Sequence, residues 1–566
     1  MLLFQLIRSR YKVASTFKRE PINVTALLLA GAVVLTTLTG SASVNSVLGA
    51  HARYNGTLTY ITLILIFVYI NSLIPPNKVN KVLRYFYYLA LLNLSYCSLQ
   101  YLRVDPVNWN LPFNRVVGLL GNPDFASALL GLSAIVFCYF ALIEKKFKWK
   151  WTINIFFSVV SVFLTFATNA RQGTGIVFLA FLFLLLVLGF KYKTKIGFLL
   201  LTFTLTVLTV AILGMLKIGP LSTLLYKDSI TYRGDYWRAA IAMFQAKPIF
   251  GVGFGRYGDY FRQFRDLEQV SRRGPSLVSD QAHSIPLDFL SSGGLVLFLI
   301  YLVFVFLICR MALVSCIRAN TKDQIFLAIT LASLWFGYLA QALISIDQIG
   351  LAIWGWVFAA LVTINYRNYN DSHESLMGTS KPVNRSSTIV AFCLCASVFM
   401  MGSFTLFPIW RADTTIRLAS AYGHSASVTN ELRQQIVGQA TKSIASRPLD
   451  FYYYRQSGVL LANYGEIDSS LSALKRAIEL NPQDSVSFAV AGSILRQTGK
   501  PRESLKFLQK ASLLDPLNQM NFYELLQSYL ALNNIQEANA MLVKMRNISN
   551  DSSLYFEAVK ILKNGK

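Results

Sequence analysis

The 566-residue sequence predicts an all-α protein: a polytopic membrane helical bundle of about eleven transmembrane helices, a large external loop and a C-terminal α-solenoid. Three observations predict it. Apolar runs of about 18 or more residues recur, as a hydrocarbon layer of about 30 Å requires. Lys and Arg gather in alternate loops. Past residue 408 the apolar runs stop and a 34-residue period begins. Mean hydropathy is +0.45, with 54% hydrophobic and only 14% charged residues.

The predicted spans lie near 23–40, 57–75, 83–101, 125–143, 152–169, 174–190, 196–216, 285–309, 324–346, 349–366 and 388–407. The net charge of +25 invites a nucleic-acid reading, but its distribution argues against one. Five Lys and Arg sit in the N-terminal tail, and others at 77–84, 145–150, 191–195, Arg310, Arg318, Lys322, Arg367, Lys381 and Arg385. The intervening short loops hold only Arg53, Arg103, Arg115 and Arg171. That is the positive-inside pattern, with the N-terminus in the cytoplasm. The chain then divides into a cytoplasmic tail at 1–22, a membrane domain at 23–407 and an exported repeat domain at 408–566. Ser41-Ala42-Ser43 resembles a signal cleavage site, yet the topology closes if the first segment is retained as a span. All six cysteines, at 97, 138, 309, 316, 393 and 395, lie in or beside spans, where they read as small packing residues.

Taken in order, the outer loop after the first span carries His51 and Arg53. Gly121-Asn122-Pro123-Asp124 reads as a turn and helix start before the fourth span. A tight outer hairpin, Asn169-Ala170-Arg171-Gln172-Gly173, joins the fifth and sixth; Arg171 either faces a shared external cavity or reaches the lipid headgroups. The loop 217–283 is the longest polar interruption, with seven Arg and three Lys against six acidic residues. In the tail, Pro448, Pro482 and Pro516 repeat every 34 residues, as do Gly458 with Gly492, Gly465 with Gly499 and Ala477 with Ala511. This resembles the tetratricopeptide repeat, in which small residues let two antiparallel helices approach closely. A third unit at 519–549 keeps Ala538, and 415–447 has the length of a degenerate first unit.

The central loop sets the candidate chemistry. Gly253 to Gly258 fits G-x-G-x-x-G but lacks the strand–turn–helix context of a dinucleotide site. No nucleophile elbow is present, and His283 has no partner at metal-ligand spacing, so no metal or other cofactor is expected. What remains is a set of arginines, whose guanidinium forks match phosphate oxygens, with one histidine. Ser284 and Pro286 look like the cap and first turn of the next helix, which places His283 at the positive end of a helix dipole. A neutral imidazole there suits a general base; a purely structural role is the alternative.

These pieces, in this order, resemble the O-antigen ligase family, membrane glycosyltransferases that take glycans from undecaprenyl diphosphate. Arg53-Tyr54-Asn55-Gly56 and Gly121 to Asp124 resemble its early loops, and Asn169 to Gly173 its Arg-bearing turn. Arg233 with Trp237, then Lys247 to Tyr257, resembles its "R…W…P-x-x-G-x-G-x-G" segment. His283-Ser284 followed by Gly294 resembles its His motif, and Ser345 to Trp356 a segment of members with repeat tails. The resemblance spans about residues 50–366 and departs at Ser284, commonly Asn, and at Leu297, commonly Gly.

The resemblance implies that Arg171 and Arg233 hold the donor diphosphate and that His283 takes the acceptor proton, in a metal-independent displacement with inversion. Arg53, Arg256 and Tyr257 are further candidates for donor contact, or else interfacial anchors. Trp237 is a headgroup anchor or a sugar platform. The implied donor is an undecaprenyl-diphosphate-linked glycan, and the acceptor a glycolipid, a glycan or a protein. The implied place is the outer face of a bacterial cytoplasmic membrane, and the repeats offer a surface for a protein partner. A glycan polymerase of the same superfamily, a glycolipid transporter and a membrane-anchored repeat scaffold are the alternatives.

Overall fold

The computed structural model describes residues 20–40, 44–51, 53–107, 109, 116–144, 146–370, 385–423 and 429–564. The basic tail up to residue 19 and the sequence at 41–43 lie outside them. Among the described residues all regular structure is helical, and each of the eleven predicted spans falls on a helix. Eight of these helices are long and apolar enough to cross a membrane. The shortfall from eleven has physical reasons. Thr57–Leu73 is only 17 residues long, and Val79–Tyr101 is made less apolar by its Tyr, Asn and Gln residues as well as by Lys81 and Arg84. With the short turn between them these two form one pair bent by 115°. The predicted span 388–407 lies in helix Arg385–Gly423, whose side chains over 385–399 lie outside the described residues. That helix runs through the expected domain boundary with Pro408 inside it.

Ion pairs lie at the two ends of the bundle, while Asp347 is buried inside it, accepting from the Tyr60 and Tyr338 hydroxyls at 2.8 and 3.0 Å. At one end Arg367 pairs with Glu20, and Lys191 bonds the carbonyls of Ile317 and Ala319. At the other lie Arg53, Asp124, the 217–283 loop and His283. Between them runs one apolar core, from Ile22 and Phe67 through Phe137 and Leu164 to Trp335 and Phe358.

Helix Ile285–Arg318 is broken at Gly294, whose φ of 60° and ψ of −159° are not helical. Its 34 residues would otherwise form a rod of about 50 Å, far longer than a bilayer core. Interrupting a helix orphans backbone groups that hydrocarbon cannot satisfy. Here the stretch Pro248–Gly253 satisfies them. Val252 and Gly253 donate their N–H groups to the carbonyls of Ser291 and Ser292, at 2.9 and 3.0 Å. Leu295 and Val296 donate in return to Pro248 and Ile249, at 2.8 and 3.3 Å. The two backbones come so close that a Cβ at Gly251 would overlap Ser292, and one at Gly294 would overlap Ile249.

The tail is a tetratricopeptide-type stack of antiparallel pairs: Phe451–Asn463 on Ile467–Leu480, Ser485–Gln497 on Pro501–Leu514, and Gln519–Leu530 on Ile535–Ile548, closed by Ser553–Asn564. The 34-residue glycines sit where helices cross: a Cβ on Gly458 or Gly492 would come within 2.7 or 2.6 Å of Leu474 or Leu508. The degenerate first unit pairs Asn430–Ser446 with the end of Arg385–Gly423, where Ser443 donates to the Ala412 carbonyl at 3.2 Å.

The backbone interlock makes a direct prediction. Gly251→Ala must adopt a left-handed φ and push into Ser292, so it should destabilise by about 2 kcal/mol or more. Gly175→Ala, on a helix with open space beside the new methyl, should leave stability unchanged or slightly raised. Thermal unfolding in one detergent would compare the two.

Candidate active site

The 217–283 loop folds into one helical turn, Ser222–Leu225, and three longer helices, Asp228–Ala246, Tyr257–Phe264 and Leu267–Arg273. Their joint core is Tyr236, Ala240, Met243, Val252, Tyr257 and Phe261. Asp235 lies at the centre of the charged side of this unit, accepting from Arg238 at 2.6 Å and from Arg272. Two of the loop's seven arginines are therefore committed to holding it together.

His283 sits at the loop's exit, immediately before the Ser284 N-cap of helix Ile285–Arg318. Its backbone takes φ 54°, an uncommon conformation for a side chain this large. The imidazole stacks on Tyr236, with centroids 5.0 Å apart and planes inclined by 26°. Tyr236 is fixed from two sides. Arg273 donates to its hydroxyl at 2.5 Å, and the Tyr257 hydroxyl donates to its carbonyl at 2.8 Å. Just upstream, the Ala282 N–H is held by the Asp288 carboxylate at 2.7 Å. Burial lowers the His283 pKa to about 4; Asp280 pulls it upward, while the guanidinium groups of Arg233, Arg53 and Arg273 push it further down. The ring is therefore neutral at physiological pH.

The expected arginines come from three other elements. Arg53, on the loop after the first span, bonds Asp280 at 2.7 Å. Arg233 faces Asp124 at 3.4 Å, in the first turn of helix Pro123–Leu142, which Asn122 caps by accepting from the Asp124 N–H at 2.9 Å. Arg171 stands exposed where its hairpin enters helix Gln172–Tyr192. Ser127 locks that hairpin by donating to the Ala170 carbonyl and accepting from the Gly173 N–H, at 3.2 and 3.0 Å. Between Arg171 and Arg233 lies Lys227, bonded to the Asn169 carbonyl at 2.9 Å. Burial lowers its pKa, Arg171 lowers it further and Asp124 raises it. The structure thus brings Arg53, Arg171, Arg233 and His283, far apart in sequence, to the same end of the bundle.

Two expected contact residues are placed differently. Arg256 is 1% exposed; it bonds Asp259, the Gly40 carbonyl and Asn481 of the repeat domain. Tyr257 is buried beneath Tyr236. Both lie behind the cluster and support it. Trp237, one turn beyond Arg233, keeps a buried indole N–H with no hydrogen-bond partner among the described residues. Sequence reasoning missed Asp280, Tyr236, Arg273 and Lys227. Asp280 alone left a signal, an acidic residue three positions before the histidine of a basic loop. Among the described residues no cluster of three or more His, Cys, Asp or Glu could hold a metal ion.

Residues 156–302 match the family model described as O-antigen ligase. That segment is similar to the O-antigen ligase domain. The matched segment contains the hairpin of Arg171, the whole 217–283 loop, His283 and the break at Gly294, so it encloses most of the cluster. No curated protein matches the chain. Among solved structures it is similar to MamA 41-end from Desulfovibrio magneticus RS-1, at 13% identity over 27% of this chain and 84% of that one, with a TM-score of 0.25. It is also similar to YrrB, described as a TPR protein with an unusual peptide-binding site, at 24% identity over 30% of this chain and 87% of that one, with a TM-score of 0.22.

The unfolded chain takes up its His283 proton near pH 6.5, whereas the folded one does so near 4. The neutral ring therefore contributes stability that is present above pH 6.5 and lost as the pH falls towards 4. With four histidines in the sequence, ¹⁵N-histidine NMR should resolve a titration near pH 4. Asp280→Asn, which removes the group raising that value, should move the midpoint lower.

Proposed function

We propose that this protein is a membrane glycosyltransferase. It transfers a glycan from an undecaprenyl-diphosphate donor to an acceptor hydroxyl at the outer face of a bacterial cytoplasmic membrane. The observation that carries this reading is the coincidence of the O-antigen ligase match with a neutral, half-buried histidine under the field of several arginines. A ring in that state can accept a proton, and the arginines suit the charge that a departing diphosphate develops. His283 withdraws the acceptor proton as the oxygen attacks the anomeric carbon. The bond from that carbon to the phosphate oxygen breaks, and undecaprenyl diphosphate leaves with the electron pair. Arg171 and Arg233 stabilise the leaving charge, with Arg53 and Arg273 beside them. One displacement inverts the anomeric centre, and the guanidinium groups take the part a metal ion would otherwise play.

Donor and base are coupled in this scheme. An anionic diphosphate offsets the positive field that helps to hold the His283 pKa down, so the ring becomes a stronger base when the donor is bound. The repeat domain lies on the same outer side. The transporter alternative calls for charged groups along the spans, whereas the ion pairs lie at the ends of the bundle and the buried Asp347 inside it is held by two tyrosine hydroxyls.

The test is transfer from a lipid-diphosphate glycan by the reconstituted full-length chain. His283→Ala should lower kcat by about 10²–10⁴ while donor binding persists. Arg233→Ala should lower it by about 10²–10³. Wild-type turnover in both variants would place the chemistry elsewhere.

A further inference from the structure

Among the described residues the repeat domain touches the membrane domain around Asp515, Asn481 and Tyr452, and the first two of these lie one 34-residue period apart. Asn481 and Asp515 each immediately precede a repeat proline, Pro482 or Pro516, at the turn between successive helix pairs. Each receives arginines from the 217–283 loop. Asp515 accepts from Arg265 at 2.7 Å and from Arg262 at 3.0 Å, and the side chains of Arg265 and Asp515 are 0% and 1% exposed. Asn481 accepts from Arg256 at 3.2 Å and donates to Asp259 at 3.0 Å, while Arg256 and Asp259 pair at 3.0 Å. One helix pair earlier, the His51 ring stacks on Tyr452 at 3.7 Å and its Nε2 lies 3.3 Å from Asp413. His51 is two residues from Arg53.

The same arginines reach onward to the histidine segment. Arg265 donates to the carbonyls of Pro275 and Leu277, at 2.8 and 3.2 Å, and Arg262 to Pro275 at 3.1 Å. These carbonyls lie on the strand of chain that ends at Asp280 and His283. Arg256 also holds the Gly40 carbonyl at the end of the first span. A buried guanidinium is tolerated only when paired. Without Asp515, Arg265 would keep its carbonyl partners but lose its counter-charge, and the 275–283 segment would lose its anchor.

We infer that the repeat domain is an intramolecular brace for the active site, with Asp515 and Asn481 as positioning residues that act through Arg265, Arg262 and Arg256 on the loop bearing His283. The third contact braces the loop bearing Arg53, and the Arg53–Asp280 pair joins the two braced segments. A recruitment arm tethered to a self-sufficient catalytic domain would not need buried ion pairs across the junction. This inference rests on the transferase reading only for its effect on turnover; the mechanical coupling stands apart from it.

The experiment uses the full-length chain in nanodiscs, with Asp515→Ala, Asn481→Ala, Asp515→Asn, and Glu479→Ala as a control. Glu479 is exposed on the same solenoid and pairs with Arg476. Hydrogen exchange is followed over 254–283, over 485–548 and over helix Ile349–Asn370. Asp515→Ala and Asn481→Ala should speed exchange over 254–283 at least tenfold and leave Ile349–Asn370 at wild-type rates. Transfer kinetics should show kcat down at least tenfold with donor KM within about twofold. Asp515→Asn, which keeps an acceptor oxygen, should recover part of kcat, and Glu479→Ala should match wild type. Wild-type exchange over 254–283 in both alanine variants would overturn the brace. If Asp515→Ala unfolds 485–548, Asp515→Asn and Asn481→Ala decide by the same criterion. Faster loop exchange in a protein that transfers no glycan would sustain the brace and remove the transferase reading.

Discussion

The site depends on a backbone exchange between two segments that are distant in function but both apolar in character. A helix entering the membrane is interrupted at Gly294, and the Pro248–Gly253 stretch inserts to take the orphaned carbonyls and N–H groups. Hydrocarbon offers no water to do this, so the interruption is tolerable only because another backbone fills it. The consequence is geometric. The short helical piece Ile285–Gly293 is hydrogen-bonded to the 217–283 loop as well as joined to the span that follows it. His283 at its start is thereby fixed relative to Tyr236, Tyr257 and the loop core. Glycine is needed on both sides of the junction because a methyl on either would occupy the other's backbone.

Around that fixed point the charges are arranged unequally. Asp235 and Asp515 are buried and each receives two arginines, and so act as structural counter-ions for Arg238, Arg272, Arg262 and Arg265. The arginines nearer the histidine have weaker or more exposed partners: Arg233 reaches Asp124 only at 3.4 Å, and the Arg53–Asp280 pair is about one-third exposed at each end. A partially solvated ion pair gives little up when an anion displaces one member. The arginines therefore fall into two populations, one tied into the fold by buried carboxylates and one with longer or more exposed partners. The net positive balance of the loop could not separate them.

Much of this was legible in the linear chain. The spans followed from apolar length, and the solenoid from prolines, glycines and alanines spaced by 34 residues. The candidate residues His283, Arg171 and Arg233 followed from the resemblance to a glycosyltransferase family. The resemblance offers Arg256 and Tyr257 as further candidates for donor contact or as interfacial anchors, yet both side chains are buried. Adjacency in sequence gives no direction once a chain turns through several left-handed glycines. The pair Thr57–Leu73 and Val79–Tyr101 shows the same limit, since composition gives helices but not the 115° bend between them.

What the sequence determined by itself is what local periodicity and composition can encode: helical content, the alternation of basic loops, the repeat period and the candidate chemistry of a basic loop with one histidine. What only the tertiary structure decided is which side chains face one another. The pairing of Asp515 with Arg265, 250 residues apart, is not a property of either segment, and neither is the stacking of His283 on Tyr236 or the filling of a broken helix by Pro248–Gly253. Each arises because buried polar groups must find partners wherever packing brings them, and packing is a property of the whole chain.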